Sequence, residues 1–253
     1  MLTGAMPPVV LVTGGGKRLG ATITRAIAAA GARVVIHYGE SADAAEALAA
    51  QLGGVTVQGD LADTAGAAAL FARARDAAGG PIGGLVNSAS QFVFDRPEAI
   101  DPTLAMRLHA INSVTPAVLA AALAAQHDVE DGAVVNLLDQ KLANPNPDFF
   151  SYSLSKYALA GATEMLAQAL APRIRVNAVA PGITLPSGDQ SDAEFAAVAS
   201  ANLLQRPVGA ENVAEAVVYL LGARSITGQT LYVDCGQRFV KRDGDVMFEG
   251  RNG

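Results

Sequence analysis

The 253-residue chain predicts an α/β fold: a single Rossmann-type doubly wound domain with a seven-stranded parallel sheet flanked by helices. Three observations predict it. Short β-rich runs alternate with Ala-rich stretches of helical length along the whole chain. A glycine-rich turn stands at the first strand-to-helix junction. The connections are short and leave no linker, so residues 1–253 read as one dinucleotide-binding domain.

The first strand is the run Val9-Val10-Leu11-Val12-Thr13, and after a glycine turn the helix 19–30 follows at once. The second strand, 33–38, ends in His37-Tyr38 and leads into the Ala-rich helix 42–52. Strand 55–59, helix 65–78 and strand 84–87 repeat the pattern. Helix 115–126, strand 133–138, helix 153–170, strand 175–180, helix 211–221 and strand 230–234 complete it. Two segments break the rhythm: 141–150, rich in Pro and Asn, and 184–207, polar with an acidic centre. Both follow strand ends, where ligands bind in open α/β sheets, and each reads as a site loop or as an ordinary surface connection.

Composition excludes several classes. At 51% apolar residues and a mean hydropathy of +0.28, the chain can build a large core. Net charge is -6 and no Lys/Arg run suggests a nucleic-acid or membrane surface. Three scattered histidines give no metal site, and Cys235, the single cysteine, allows no internal disulfide. No apolar run approaches the ~18 residues of a membrane span, and residues 1–8 lack a charged and apolar leader. The expected location is a reducing cytoplasm.

Chemistry concentrates at two places. In the turn Gly14-Gly15-Gly16-Lys17-Arg18-Leu19-Gly20, glycines let backbone N–H groups approach a pyrophosphate at a helix N-terminus. An acid at the tip of the second strand would repel a 2′-phosphate. The tip is His37-Tyr38-Gly39, with Lys17 and Arg18 facing it, so the cofactor expected is NADPH; Glu40 opposes that choice and Ser41 supports it. Further along, Tyr152 and Lys156 stand one helical turn apart and share a face when helical. An ammonium beside a phenol, which ordinarily titrates near ~10, favours the phenolate and lets it act as acid or base.

These residues resemble the short-chain dehydrogenase/reductase family along nearly the whole chain. The turn from Thr13 to Gly20 is similar to the family's T-G-x-x-x-G-x-G, Asp60-Leu61 to its adenine-contacting pair, and Asn87-Ser88-Ala89-Ser90 to N-N-A-G. Asn112 matches the structural and proton-relay asparagine, Tyr152 and Lys156 the catalytic pair, and Pro181-Gly182 the turn after the sixth strand, with Thr184 just beyond. The resemblance implies that Lys156 also holds the nicotinamide ribose and that Asn112 holds a relay water.

Three departures resemble the pteridine reductases: Arg18 in place of the second glycine, Ser90 ending the fourth-strand motif, and Asp139 where the family has its catalytic serine. The resemblance extends to Phe92 as a ring that stacks on a flat heterocycle, with Arg18 and Ser90 also touching substrate or cofactor. Physical reasoning adds to it. A hydroxyl suits a developing alkoxide, whereas a carboxylate would repel it; reduction of C=N needs a proton on nitrogen, which a carboxyl of raised pKa supplies. Phe92 would contribute about 0.5–1.5 kcal/mol by stacking beyond its burial.

The function expected is therefore NADPH-dependent reduction of a small pterin-like molecule, a dihydropterin going to its tetrahydro form. Tyr152, Lys156, Asp139 and Asn112 are the catalytic group. Alternatives are a short-chain reductase of a carbonyl or another cyclic imine, and a non-catalytic NADP-sensing protein. Small residues along 153–170 (Ala158, Ala160, Gly161, Ala162, Ala167), with the family's habit, lead to an expected homotetramer. The tail 237–253, with Val246, Met247 and Phe248 among charges, is expected to reach a neighbouring subunit and line its substrate pocket, or to fray. Cys235 falls where the family usually has glycine.

Overall fold

A computed structural model describes residues 6–186 and 191–245. Seven parallel strands form one sheet: β1 Val9–Thr13, β2 Arg33–Tyr38, β3 Val55–Gln58, β4 Gly84–Asn87, β5 Gly132–Leu137, β6 Ile174–Pro181 and β7 Thr230–Val233. Their order is β3-β2-β1-β4-β5-β6-β7, so the chain starts at the centre, runs to one edge, and returns to build the other half. Parallel pairing needs a crossover for every strand. Eight α-helices supply the crossovers among the described residues: α1 Arg18–Ala29, α2 Ala42–Leu52, α3 Ala67–Ala78, α4 Pro102–His109, α5 Thr115–Ala124, α6 Phe150–Leu170, α7 Asp192–Ala199 and α8 Ala210–Gly222.

Side chains of a strand alternate between faces, and the core divides accordingly. Val10 and Val12 of β1, with Val34 and Ile36 of β2, pack under α1, α2 and α8 through Ile23, Leu48 and Val217. Leu11 and Val35 face the other way, against Phe71 of α3, Leu119 of α5 and Ala167 of α6. Both faces are thus covered, which is why the strands read as continuous apolar runs.

Strand order reverses between β1 and β4, and there the register pairs Thr13 with Asn87. Ligands of doubly wound sheets bind beyond the strand ends at such a switch point. Thr13 ties the two ends together, since its hydroxyl oxygen accepts the Ser88 and Ala89 N–H groups, each at 3.1 Å.

Two helices escape the reading by Ala-rich stretches. Helix α4 starts where the Asp101 carboxylate accepts the Thr103 N–H at 2.8 Å, with Pro102 in its first turn. It runs through one π-turn, Ala110–Val114, into α5. Helix α7 lies inside the expected polar loop and begins with a reciprocal bond pair between Ser191 and Glu194.

Candidate active site

The nucleotide cradle follows from close packing of its glycines. Gly14 takes φ 62°, and a Cβ on Gly20 would lie 2.1 Å from the Gly14 carbonyl oxygen, so only glycine lets α1 come this near the turn. No side chain caps the first turn of α1 and no acid stands in it. Its N–H groups and the positive end of its dipole are left for an anion, which fits a dinucleotide pyrophosphate.

His37 is 2% exposed and takes a different part from the direct cofactor contact expected of it. Its Nδ1 accepts the Gly14 N–H at 3.2 Å while Nε2 donates to the Gly59 carbonyl at 3.1 Å, a pattern that requires the neutral ring. Burial lowers its pKa from 6.5 to about 4. His37 therefore fixes the turn from beneath. Tyr38 is half-buried beside it, Lys17 and Glu40 are exposed, Ser41 begins α2 without capping it, and Leu61 is buried. Asp60 accepts the Ala62 N–H at 2.9 Å.

Arg18 adopts φ 50° at the position where the family's glycine is expected. A left-handed non-glycine residue costs about 1–2 kcal/mol, and such strain gathers at functional sites. Its guanidinium donates to the Pro186 carbonyl beyond β6, so the arginine bridges the glycine turn to the opposite wall.

A cavity of about 410 Å³ opens over the switch point. Arg18, Leu19, Ser88, Ser90, Phe92, Asp139, Tyr152, Lys156, Pro181, Gly182 and Thr184 line it, all expected from the sequence. Gly14, Gly20, Asn87 and Ala89 form the turn and strand end behind that wall, where Asn87 donates to the Asn136 side chain at 2.8 Å. Gln140, Lys141, Gln237 and Asp245 also line the cavity; the sequence singles out none of them as a site residue, although 141–150 reads as a site loop and the tail as lining a neighbour's pocket. The last two come from the tail, and no local spacing marks them.

Helix α6 positions the reacting pair. The buried Asp95 carboxylate accepts the Ser151 N–H at 3.0 Å at the helix start, and Phe149 enters it at φ 53°. Tyr152 and Lys156 then project from one face. The Tyr152 hydroxyl donates to Asp139 Oδ2 at 2.8 Å, and Asp139 Oδ1 accepts the Lys141 N–H at 2.8 Å. Burial raises the Asp139 pKa against the pull of those hydrogen bonds and of Lys156.

Lys156 does not lower the Tyr152 phenol in this arrangement. Its Nζ donates to the Leu137 carbonyl at 2.7 Å and lies 5.7 Å from the phenol ring centroid. Burial, followed by the negative Asp139 alongside, pushes Tyr152 well above the usual phenol range. Burial also brings Lys156 down to about 8. The phenol and carboxyl thus form a joint proton reservoir rather than a ready phenolate.

Asn112 sits in the π-turn and spends its whole amide on the protein. Its oxygen accepts from Ser90 Oγ at 3.2 Å and the Gln91 N–H at 2.9 Å; its nitrogen donates to the Gln91 carbonyl and to Ser155 Oγ, both at 3.0 Å. The side chain braces the Ser90 loop against α6, so a relay water at Asn112 would be held by its main chain. Phe92 is stacked on Phe149, centroids 3.9 Å apart and planes 15° apart, and meets Tyr152 edge-on at 4.7 Å. One face expected to lie against a heterocycle is therefore backed by Phe149.

Among the described residues no group of His, Cys, Asp and Glu could hold a metal ion, and no helix is long and apolar enough to cross a membrane. Residues 237–245 fold onto their own chain: Gln237 accepts the Ile183 N–H at 2.9 Å and Asn144 donates to the Val240 carbonyl at 2.7 Å. Val246, Met247 and Phe248 of the tail lie outside the described residues.

Proton donor and nucleotide cradle open on the same cavity, and that pairing defines a dinucleotide-dependent oxidoreductase. The family profile described as enoyl-(acyl carrier protein) reductase matches residues 16–238. The chain belongs to the short-chain dehydrogenase/reductase family. It is 33% identical to pteridine reductase 1 of Leishmania tarentolae, over 93% of this chain and 98% of that protein. It is 24% identical to dihydromonapterin reductase of Klebsiella pneumoniae, over 91% and 97%. Among solved structures, FolM alternative dihydrofolate reductase 1 of Brucella canis complexed with NADP superposes with a TM-score of 0.89 at 42% identity, covering 95% of this chain and 98% of that one.

Proposed function

We propose that the protein reduces a dihydropterin to its tetrahydro form. The cofactor is NADPH, in keeping with the acid-free tip of β2 and with the NADP complex of the Brucella relative. Gly14 to Gly20 and the N-terminus of α1 hold its pyrophosphate, while Lys17, Tyr38 and Ser41 stand on the side where the 2′-phosphate is read. When bound, it supplies hydride to the carbon of a ring C=N bond.

The observation that carries the reading is the 2.8 Å bond between the Tyr152 hydroxyl and Asp139. A carboxyl whose pKa is raised by burial is suited to place a proton on ring nitrogen, and poorly suited to shelter an alkoxide. Tyr152 is held to that carboxyl as donor, and the pair together gives up one proton to nitrogen. Lys156, charged below about 8, offsets the negative charge left on the pair. Phe92, stiffened by Phe149, offers a flat apolar wall to a flat ring. Arg18 supplies donors at the rim, and Ser90, whose hydroxyl hydrogen goes to Asn112, offers an acceptor there.

The test is steady-state NADPH oxidation with a panel of dihydropterins, repeated with Tyr152→Phe and Asp139→Ser. Tyr152→Phe is expected to lower kcat at least 100-fold with NADPH binding retained, the scale of a lost general acid, roughly 10²–10⁴. Asp139→Ser is expected to depress pterin turnover far more than NADPH affinity. Pterin turnover untouched by Asp139→Ser would remove the carboxyl from the mechanism and favour carbonyl reduction.

A further inference from the structure

Between β5 and α6 the chain reads Asn144-Pro145-Asn146-Pro147-Asp148. Each proline fixes its own φ and turns the preceding residue away from helix, so the polar residues recur every second position along a non-helical segment. All three hold the main chain of one downstream stretch. Asn144 Nδ2 donates to the Val240 carbonyl at 2.7 Å, Asn146 Nδ2 to the Gly244 carbonyl at 3.1 Å, and Asp148 Oδ2 accepts the Asp245 N–H at 2.8 Å. Asp148 is also steadied by Arg96, 3.6 Å away.

At the end of this zipper Asp245 reaches the cavity wall. Its Oδ2 accepts from Lys141 Nζ at 2.9 Å, and Lys141 is only 4% exposed. The same Lys141 gives its backbone N–H to Asp139. One lysine therefore links the carboxyl of the proton donor to a carboxylate delivered from the tail.

We infer that residues 144–148 are a clasp that seats this chain's own tail on the active-site cavity, making Asp245 a positioning residue for the Asp139–Tyr152 proton donor. The inference rests on the role given to Asp139 above. A second carboxylate nearby disfavours ionisation of the first, and Asp245 acts in that sense on both Asp139 and Tyr152. The opposing cations are Lys156, Lys141 and, at the rim, Arg18. The Lys141 ammonium is drawn to Asp245 and lies 5.3 Å from the Phe149 ring centroid, which limits its pull on Asp139. Removing the Asp245 charge leaves Asp139 facing the same cations with one anion fewer, so its proton leaves at lower pH.

The test is an infrared pH titration of the full-length protein. The protonated-carboxyl band of Asp139, assigned by its loss in Asp139→Asn, is followed in the unmodified protein, in Asp245→Asn, in Asp245→Glu and in Asn144→Ala/Asn146→Ala. The midpoint is expected to fall by about one pH unit in Asp245→Asn and in the clasp variant, the size of effect a neighbouring charge exerts. Asp245→Glu is expected to restore it. A midpoint unmoved in both Asp245→Asn and the clasp variant overturns the inference. The clasp variant decides alone if Asp245→Asn does not fold. Because the titration needs no substrate, a protein that turns over no pterin would defeat the proposed function and leave this test standing.

Discussion

His37 accepts a hydrogen bond from one backbone group and donates one to another, and both bonds hold only while the ring is neutral. Between pH 6.5 and about 4 the unfolded chain takes up a proton that the folded chain refuses. Its contribution is therefore fully present above pH 6.5 and lost as pH falls towards about 4; a difference of this size corresponds to roughly 3 kcal/mol. Urea denaturation at neutral and acid pH should show that loss in the unmodified protein and a much flatter dependence in His37→Gln. Cys235 carries a backbone signature of another kind. It adopts φ 51°, which accounts for the glycine expected at that position. Cys235→Gly should be more stable than Cys235→Ala by about 1 kcal/mol, the cost of a Cβ in the left-handed region, as measured by the same denaturation. Among single residues, Tyr152 and Lys156 were legible because one helical turn separates them, and Asp139 because the resemblance sets it where the family has its catalytic serine. The Lys141–Asp245 pair is separated by 104 positions and has no such local mark.

The element scale shows which signals are read and which are passed over. The seven strand positions were legible to within a residue or so at each end, because β-rich runs between glycine-bearing turns have few alternatives. Helices α4 and α7 were not read, although each carries a start signal: Asp101-Pro102 in one, Ser191 with Glu194 in the other. Both are only eight residues long, too short for the periodic apolar pattern that identified the longer helices. The junction of β1 and α1 was legible as a nucleotide turn, but the reason for its last glycine is spatial. Gly20→Ala would place a methyl 2.1 Å from the Gly14 carbonyl oxygen and force α1 off the turn. Isothermal titration should show NADPH affinity reduced at least about tenfold, equivalent to 1.4 kcal/mol. Retention of affinity would mean that the cradle is not the pyrophosphate site.

For the whole molecule, the exposed face of α6 carries the prediction. Leu154, Tyr157 and Met165 are exposed on it, at 43%, 41% and 71%, and Gly161 on the same helix has open space before it. Met106 of α4 is exposed as well, at 72%. An apolar helix face of this kind is the mark of an association surface, and multi-angle light scattering of the full chain should give a homotetramer. Met165→Glu, which sets a charge into that stripe, should shift the population towards smaller species. A full-length monomer with normal turnover would reject the assembly.

Arg18 belongs to the junction of β1 and α1, whereas Gln237 and Asp245 are synthesised more than 200 residues later and line the same cavity. At about 5–20 residues per second, β1, β2 and β3 have many seconds in which to pair before their catalytic counterpart exists. An incomplete nascent chain can therefore carry the glycine turn, Tyr152 and Lys156 while its cavity still lacks a wall. The wall is completed only when the residues around Asp245 have cleared the exit tunnel.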